Sequence, residues 1–121
     1  MHELAVCQAL LDQVTDVARA HGAAGVQRIA VRIGPLSGVL PELLAQAFSV
    51  ARAGTAASGA VLEIEEVPLR VRCERCGAET AAAVNRLLCG ACGDYHTRVV
   101  SGDELLLARV ELVTRKETLH V

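Results

Sequence analysis

The stretch that decides the fold runs from residue 73 to residue 93 and reads CERCGAETAAAVNRLLCGACG. It contains two Cys-x-x-Cys-Gly units, and the two-residue gap lets both sulfurs of one turn point at a shared cation. A glycine after each second cysteine suits the positive φ that such turns favour. Four sulfurs form a closed tetrahedral set, which predicts one structural zinc ion without an open catalytic position, held by Cys73, Cys76, Cys89 and Cys92.

Two other interpretations of these cysteines stay open. Two Cys-x-x-Cys-Gly units also suit an iron atom in a rubredoxin-like electron carrier, although this chain lacks the aromatic residues usual around such iron. Four unligated structural cysteines are the second alternative, and the doubled spacing disfavours them. The fifth cysteine, Cys7, lies on the apolar stripe of a predicted helix, so we expect a buried and inert thiol there.

Helical and extended patterns alternate around this insert. They predict a helix over residues 3–21, a strand over 26–33, a helix from 41 to about 54, an extended segment over 60–71 and a strand over 105–113. Near Pro68 the alternation of apolar and polar residues shifts by one position, and we expect a bulge or a strand end there. The predicted fold class is α+β, with a three-stranded sheet, two helices on one of its faces, and an inserted zinc-ribbon module with four cysteine ligands. We expect two domains. Residues 1–69 together with 98–121 form one, and residues 70–97 form a zinc-binding domain.

The amino-acid composition limits the classes of function that this chain can have. The 121 residues carry a net charge of -2, with Phe48 and Tyr95 as the only aromatics. Nucleic-acid binders usually have a basic field and stacking aromatics, so we expect no nucleic-acid partner. A zinc-ribbon module that binds nucleic acid or protein remains the alternative function. No nucleophile–base pair is evident, so we expect no enzyme.

The sequence also leads to an expectation about the cellular compartment of the protein. No run approaches the roughly 20 apolar residues of a membrane helix. The first residues lack the basic and apolar regions of a secretory signal. We therefore expect a cytoplasmic protein without a membrane partner, and in that reducing compartment paired cysteines are metal ligands rather than disulfides.

The first three residues, Met1, His2 and Glu3, carry a second candidate site. The α-amine of Met1, the amide nitrogen and imidazole of His2, and the amide nitrogen of Glu3 form a square-planar N₄ set suited to Ni(II) or Cu(II). The bulk of His2 is expected to leave the initiator Met1 in place. An ordinary solvated chain start is the other interpretation. We expect His21, at a helix end, and His120, in a terminal tail, to stay outside the metal sites.

Several further segments have a characteristic sequence: MHEL at 1–4, CQALL at 7–11, IGPLSGV at 33–39, PE at 41–42, LEIE at 62–65 and SGDEL at 101–105. With the two cysteine pairs, they make the whole chain resemble the HypA/HybF family of hydrogenase nickel-incorporation proteins. The resemblance implies a metallochaperone that delivers Ni(II) during maturation of [NiFe] hydrogenase. It implies nickel at Met1, His2 and Glu3, and structural zinc at the four cysteines.

The same resemblance implies partners. Members of the family work with the HypB GTPase and dock on the hydrogenase large-subunit precursor. Some also serve urease maturation, so urease accessory proteins are further candidate partners, and a homodimer is a candidate assembly. Some members carry histidines beside the cysteine pairs. This chain departs from them, because only His96 lies near its pairs.

Overall fold

The structure, a computed structural model, describes residues 2–114. Its elements are α1 (His2–Ala20), β1 (Gly25–Ile33), a short 3₁₀ helix (Pro35–Ser37), α2 (Pro41–Ala51), β2 (Val61–Glu66), β3 (Arg70–Cys73), β4 (Glu79–Ala81), β5 (Thr97–Ser101) and β6 (Leu105–Val113). The predicted order is confirmed, including the interruption near Pro68. The predictions for Met1 and His120 lie outside the described residues.

Two three-stranded sheets organise these strands. The first has the order β2-β1-β6, and the second has the order β4-β3-β5. In the second sheet, β3 pairs antiparallel with both neighbours. The α+β class with a cysteine module is therefore confirmed. The second sheet is not evident in the sequence, because strands of three to five residues are too short to show a reliable two-residue period.

The chain divides into two compact units. Within the described residues, the first comprises residues 2–31, 40–64 and 107–114, and the second comprises residues 32–39 and 65–106. The domain boundaries expected from the sequence, at 69/70 and 97/98, stay a prediction. Among residues 2–114, no helix is both long and apolar enough for a bilayer crossing.

The first unit has an apolar core between its helices and strands. The residues that line it come from α1, α2, β1 and β2, and include Cys7, Val14, Ile29, Val31, Leu44 and Phe48. On α1 the buried positions are Glu3, Cys7, Leu11, Val14 and Ala18, at helical steps of three and four. The apolar pattern predicts Leu4 on this stripe, but Leu4 is 45% exposed and Glu3 takes the buried position.

In the second unit, the backbone at Gly34 lies very close to the backbone at Gly102. A side chain at Gly34 would collide with the backbone of Gly102, and a side chain at Gly102 would lie 2.6 Å from the Cα of Leu69. Gly102 also has a φ of 108°, which favours glycine. The N–H of Leu36 donates to the carbonyl of Gly102 at 2.8 Å, so the two segments are joined where glycine allows them to touch.

Candidate metal centres

The four cysteines predicted as ligands come together. Their sulfur atoms all lie within 4.8 Å of one another, and the Cys73–Cys92 and Cys76–Cys89 Sγ distances are both 3.6 Å. A disulfide needs about 2.05 Å, so these are separate thiols. A tetrahedron with Zn–S bonds of about 2.3 Å has sulfur–sulfur edges of about 3.8 Å. The cluster therefore fits a single tetrahedral metal ion.

The first two cysteines lie in a tight turn that begins at the end of β3. The backbone N–H groups of Arg75 and Cys76 each donate to the Cys73 sulfur at 3.3 Å. The N–H of Gly77 donates to the Cys73 carbonyl at 3.0 Å, with a φ of 79° at Gly77. The turn thus directs two N–H dipoles at one sulfur, which stabilises its thiolate form.

The second pair repeats this geometry. The N–H groups of Ala91 and Cys92 donate to the Cys89 sulfur at 3.3 and 3.4 Å. The N–H of Gly93 donates to the Cys89 carbonyl at 2.9 Å, and Gly93 has a φ of 79°. The positive φ expected at the two glycines is therefore present in both turns, and the same local sequence gives the same local structure twice.

The pKa values of the thiols differ within each pair. The Cys92 and Ala91 N–H groups lower the pKa of Cys89 to about 6, and the Cys76 and Arg75 N–H groups lower the pKa of Cys73. At Cys92 the Asp94 N–H acts to lower the pKa, but the neighbouring Cys73 and Cys89 sulfurs raise it to about 12. Without a metal ion the cluster thus holds both thiols and thiolates at neutral pH, and a bound dication would displace the remaining protons.

Two supporting contacts of the cluster were missed in the sequence. The Thr80 hydroxyl accepts the N–H of Gly90 at 2.8 Å, which ties β4 to the second turn. The Asp94 carboxylate accepts the N–H of His96 at 2.7 Å and contacts its Nδ1 at 2.6 Å. The His96 N–H is the main cause of a lowered Asp94 pKa. The Asp-x-His spacing is a local signal for such a turn, whereas Thr80 is ten residues from its partner and gives no signal.

The N-terminal candidate site is described only in part. The His2 side chain is 59% exposed, and its Nε2 lies 3.8 Å from a Glu3 carboxylate oxygen. Glu3 is buried, and this oxygen accepts the N–H of Leu40 at 3.3 Å. The Leu40 N–H, followed by the N–H of Glu3 itself, lowers the pKa of the Glu3 carboxyl. His2 and Glu3 are thus adjacent at the first turn of α1, with an accessible imidazole.

Cys7 and His21, which we expect to lie outside the metal sites, have contacts that are consistent with structural roles. Cys7 is buried, and burial raises the pKa of its thiol, so a thiolate ligand is disfavoured there. His21 Nδ1 contacts the carbonyl of Val17 at 2.9 Å at the end of α1. The cluster of candidate ligands found within residues 2–114 consists of the four cysteines.

The fold and the cluster define an α+β protein with a four-thiol metal module. Residues 1–112 match the family described as "Hydrogenase/urease nickel incorporation, metallochaperone, hypA", and the chain belongs to this family. The resemblance inferred from the sequence is thereby confirmed. The family is one of maturation factors rather than catalysts, which fits the expectation of a non-enzymatic protein.

Individual relatives agree with this assignment. The hydrogenase maturation factor HypA of Nitrosospira multiformis is 52% identical over 114 residues, covering 94% of this chain and 99% of the relative. That of Aquifex aeolicus is 39% identical over 112 residues, covering 93% and 97%. The solution structure of the Ni metallochaperone HypA from Helicobacter pylori has a TM-score of 0.68 at 24% identity, covering 95% and 100%. This structural likeness supports the fold.

Proposed function

We propose that this chain binds Ni(II) at its N-terminus and delivers it during maturation of [NiFe] hydrogenase. The observation that carries the proposal is the family match over residues 1–112, which begins at the first residue of the candidate nickel site. The ligands are the amine of Met1, the amide nitrogen and imidazole of His2, and the amide nitrogen of Glu3. The exposure of the His2 side chain supports this role, because a delivered ion must reach a partner without moving packed structure.

The four-cysteine cluster holds a structural zinc ion in this proposal. Four sulfurs complete a tetrahedral shell, so zinc there has no position for substrate. Iron would fit the same sulfur geometry, and metal analysis distinguishes the two directly. An iron protein would also be coloured by thiolate-to-iron absorption, whereas a zinc protein is colourless.

Nickel binding is reversible and depends on pH. The amide nitrogens and the imidazole must lose protons to act as ligands, so affinity falls as pH falls. The proposed partners are a HypB-type GTPase and the hydrogenase large-subunit precursor, with urease accessory proteins as further candidates, in the cytoplasm. Transfer from this chain to a purified precursor would test delivery separately from binding.

The central experiment compares two histidine variants. His2→Ala is expected to abolish nickel binding while zinc content and far-UV circular dichroism stay unchanged. His21→Ala is the matched control, because the His21 ring contacts a carbonyl at the far end of α1, and this variant should bind nickel normally. Calorimetry measures nickel, and atomic emission measures zinc. Stoichiometric nickel in His2→Ala would exclude the N-terminal site.

A second experiment tests the amine ligand. A short peptide added before Met1 converts the amine into an amide, so nickel affinity should fall while the zinc content is retained. Removing the peptide with a protease that leaves Met1 free should restore the affinity. Equal nickel affinity before and after removal would show that the amine is not a ligand.

A further inference from the structure

The part of the chain that contains the cysteines carries an excess of positive charge. Residues 70–98 include five arginines and three acidic residues, whereas the whole chain has a net charge of -2. Three of these arginines lie on strands of the second sheet: Arg70 and Arg72 on β3, and Arg98 on β5. The second sheet therefore concentrates positive charge in a chain that is acidic as a whole.

One face of this sheet is buried and the other is exposed. Val71 and Cys73 of β3 are buried, and the sulfur of Cys73 belongs to the cysteine cluster. Successive side chains point to opposite faces of a strand, so Arg70 and Arg72 point away from the cluster. The side chains of Arg72 and Arg98 are 59% and 76% exposed. The outer face of the sheet therefore presents arginines to solvent.

Arg72 and Arg98 lie directly opposite each other on this outer face. The antiparallel register of β3 and β5 pairs them, and the Cβ atoms of such a pair are about 5 Å apart. Like charges in this position destabilise a pair of strands. Natural proteins break such local rules mainly at functional or strained sites. An anionic group between the two guanidiniums would remove the repulsion.

The acidic residues of the chain compensate these arginines only in part. Glu79 on β4 lies 3.5 Å from Arg70 and 3.6 Å from Arg72, and Glu74 lies 3.4 Å from Arg98. These distances exceed the roughly 2.7–2.9 Å of a strong charge-assisted hydrogen bond. The side chains involved are at least 40% exposed, so the pairs contribute little stability. Both guanidiniums of the opposed pair therefore keep N–H donors for a further anion.

We propose that the outer face of the second sheet is a docking surface for a partner protein, which places one Asp or Glu carboxylate between Arg72 and Arg98. We call this surface the arginine face, and it comprises Arg70, Arg72, Glu74, Glu79 and Arg98. A carboxylate has two oxygens and can accept from both guanidiniums at once. The arginine face requires a folded cysteine module but does not depend on the nickel site.

The two glutamates favour a protein over a nucleic acid as the partner. A nucleic-acid backbone carries a negative charge at every phosphate, so some phosphates would lie close to Glu74 and Glu79. A protein segment can instead place one acidic residue between the opposed arginines and neutral or basic residues beside the glutamates. Phe48 is buried and Tyr95 is the only other aromatic residue, so the chain lacks the series of rings on which unpaired bases stack.

Titration of a short peptide into the zinc-loaded full chain tests this docking surface. The probe is a labelled peptide of alternating threonine and glutamate, and its matched control has glutamine in place of glutamate. Fluorescence anisotropy measures the dissociation constant, and NMR of the arginine Nε–H groups locates the contact. The glutamate peptide should bind and shift the signals of Arg72 and Arg98, whereas the glutamine peptide should not bind.

Three arginine variants sharpen the test. Arg72→Gln and Arg98→Gln should each raise the dissociation constant of the glutamate peptide about ten-fold, the effect of losing one hydrogen bond to a charged group. Arg86→Gln is the matched control, because Arg86 is exposed and lies between β4 and β5, outside the strands of the sheet. This variant should bind the peptide normally.

Thermal stability separates docking from a structural role. Because Arg72 and Arg98 repel each other in the free chain, Arg72→Gln and Arg98→Gln should melt at the same temperature as the unmodified chain or higher. Zinc content and nickel binding should stay normal in both. A lower melting temperature or a loss of zinc in both variants would show that the arginines serve the sheet itself, and would overturn the proposal.

Three binding results would also overturn it. Absent binding of the glutamate peptide, or equal binding of the two peptides, would show that the arginine face does not recognise a carboxylate. Tighter binding of single-stranded oligothymidylate, lost in the same variants, would assign the face to nucleic acid. Shifts of the Arg98 Nε–H signal that depend on protein concentration, without peptide, would show that a second copy of the chain occupies the face.

Discussion

The carboxylate of Glu3, in the first turn of α1, accepts a hydrogen bond from the backbone N–H of Leu40 at 3.3 Å. Leu40 is the N-cap of α2 and has no cap from its own side chain. In a capping box, a Glu three residues after the cap accepts this N–H, but that position here is Leu43. Glu3 therefore supplies from α1 the acceptor that α2 lacks.

The first prediction concerns the contribution of this bond to stability. Glu3→Gln removes the carboxylate charge at the start of α2, where a negative charge is favourable, so the melting temperature should fall. The Glu3 pKa is lowered in the folded chain. Its stabilising effect is thus present above the unfolded pKa and is lost as pH falls through the folded pKa. Thermal melts between neutral and acidic pH measure both effects.

Glu42→Gln is the matched control for this prediction. Glu42 lies in the first turn of the same helix but is exposed, so its removal should change the melting temperature less. If the two variants melt alike across the pH range, the Glu3–Leu40 bond contributes no more than a surface charge does.

The second prediction separates the carboxylate of Glu3 from its backbone nitrogen. If the amide nitrogen is the nickel ligand, Glu3→Gln keeps it and should bind one nickel ion per chain. Glu3→Pro removes the amide proton that a metal must displace and should lose the planar N₄ site. Nickel titrations followed by visible absorption would measure both. Loss of nickel in Glu3→Gln would instead indicate a carboxylate ligand.

The contrast between Glu3 and the cysteines shows what could be predicted from the sequence. Each cysteine turn is formed within five residues, so spacing alone predicts its hydrogen bonds and the positive φ of Gly77 and Gly93. The Glu3–Leu40 bond joins residues 37 positions apart, and no local pattern encodes it. Glu3 is buried while the neighbouring Leu4 is exposed, which is the reverse of the usual preference of leucine for the interior and of glutamate for the surface.

The strands show the same division between local and distant information. The predicted bounds of β6, residues 105–113, match the structure, because its apolar run is long and preceded by a turn. β4 spans three residues and exists because it pairs with β3, so its own residues carry little signal. The Gly34–Gly102 approach was likewise missed, since a glycine in a turn and a glycine at a contact look alike in a sequence.

The third prediction concerns the close contact between the backbones of Gly34 and Gly102. Gly34→Ala should destabilise the chain by about 1–3 kcal/mol, the usual cost of forcing an extra group into a packed site, because the obstacle is the Gly102 backbone rather than a mobile side chain. Gly59→Ala is the control, since a Cβ there meets nothing within 4 Å. Urea unfolding of both variants measures the difference. A Gly34→Ala chain as stable as Gly59→Ala would contradict the observed backbone contact.

The fourth prediction concerns removal of the metal. In Cys92→Ala three thiolates remain, so zinc should bind weakly, and a chelator should unfold the second unit at concentrations that leave the unmodified chain folded. Cys7→Ala is the control, because Cys7 lies in the core of the first unit outside the sulfur cluster, and its zinc content should be normal. Retention of zinc by Cys92→Ala under chelation would show that Cys92 is not a ligand.

Proton release provides a second measurement of the same site. At pH 7 Cys92, with a pKa raised to about 12 in the metal-free chain, is protonated, whereas Cys89, with a pKa lowered to about 6, is mostly ionised. Zinc must therefore displace the proton of Cys92 but little from Cys89, and affinity should rise with pH above 7. Calorimetry in buffers of different ionisation enthalpy counts the protons. In Cys92→Ala the count should fall by about one, and an unchanged count would show that another group supplies that proton.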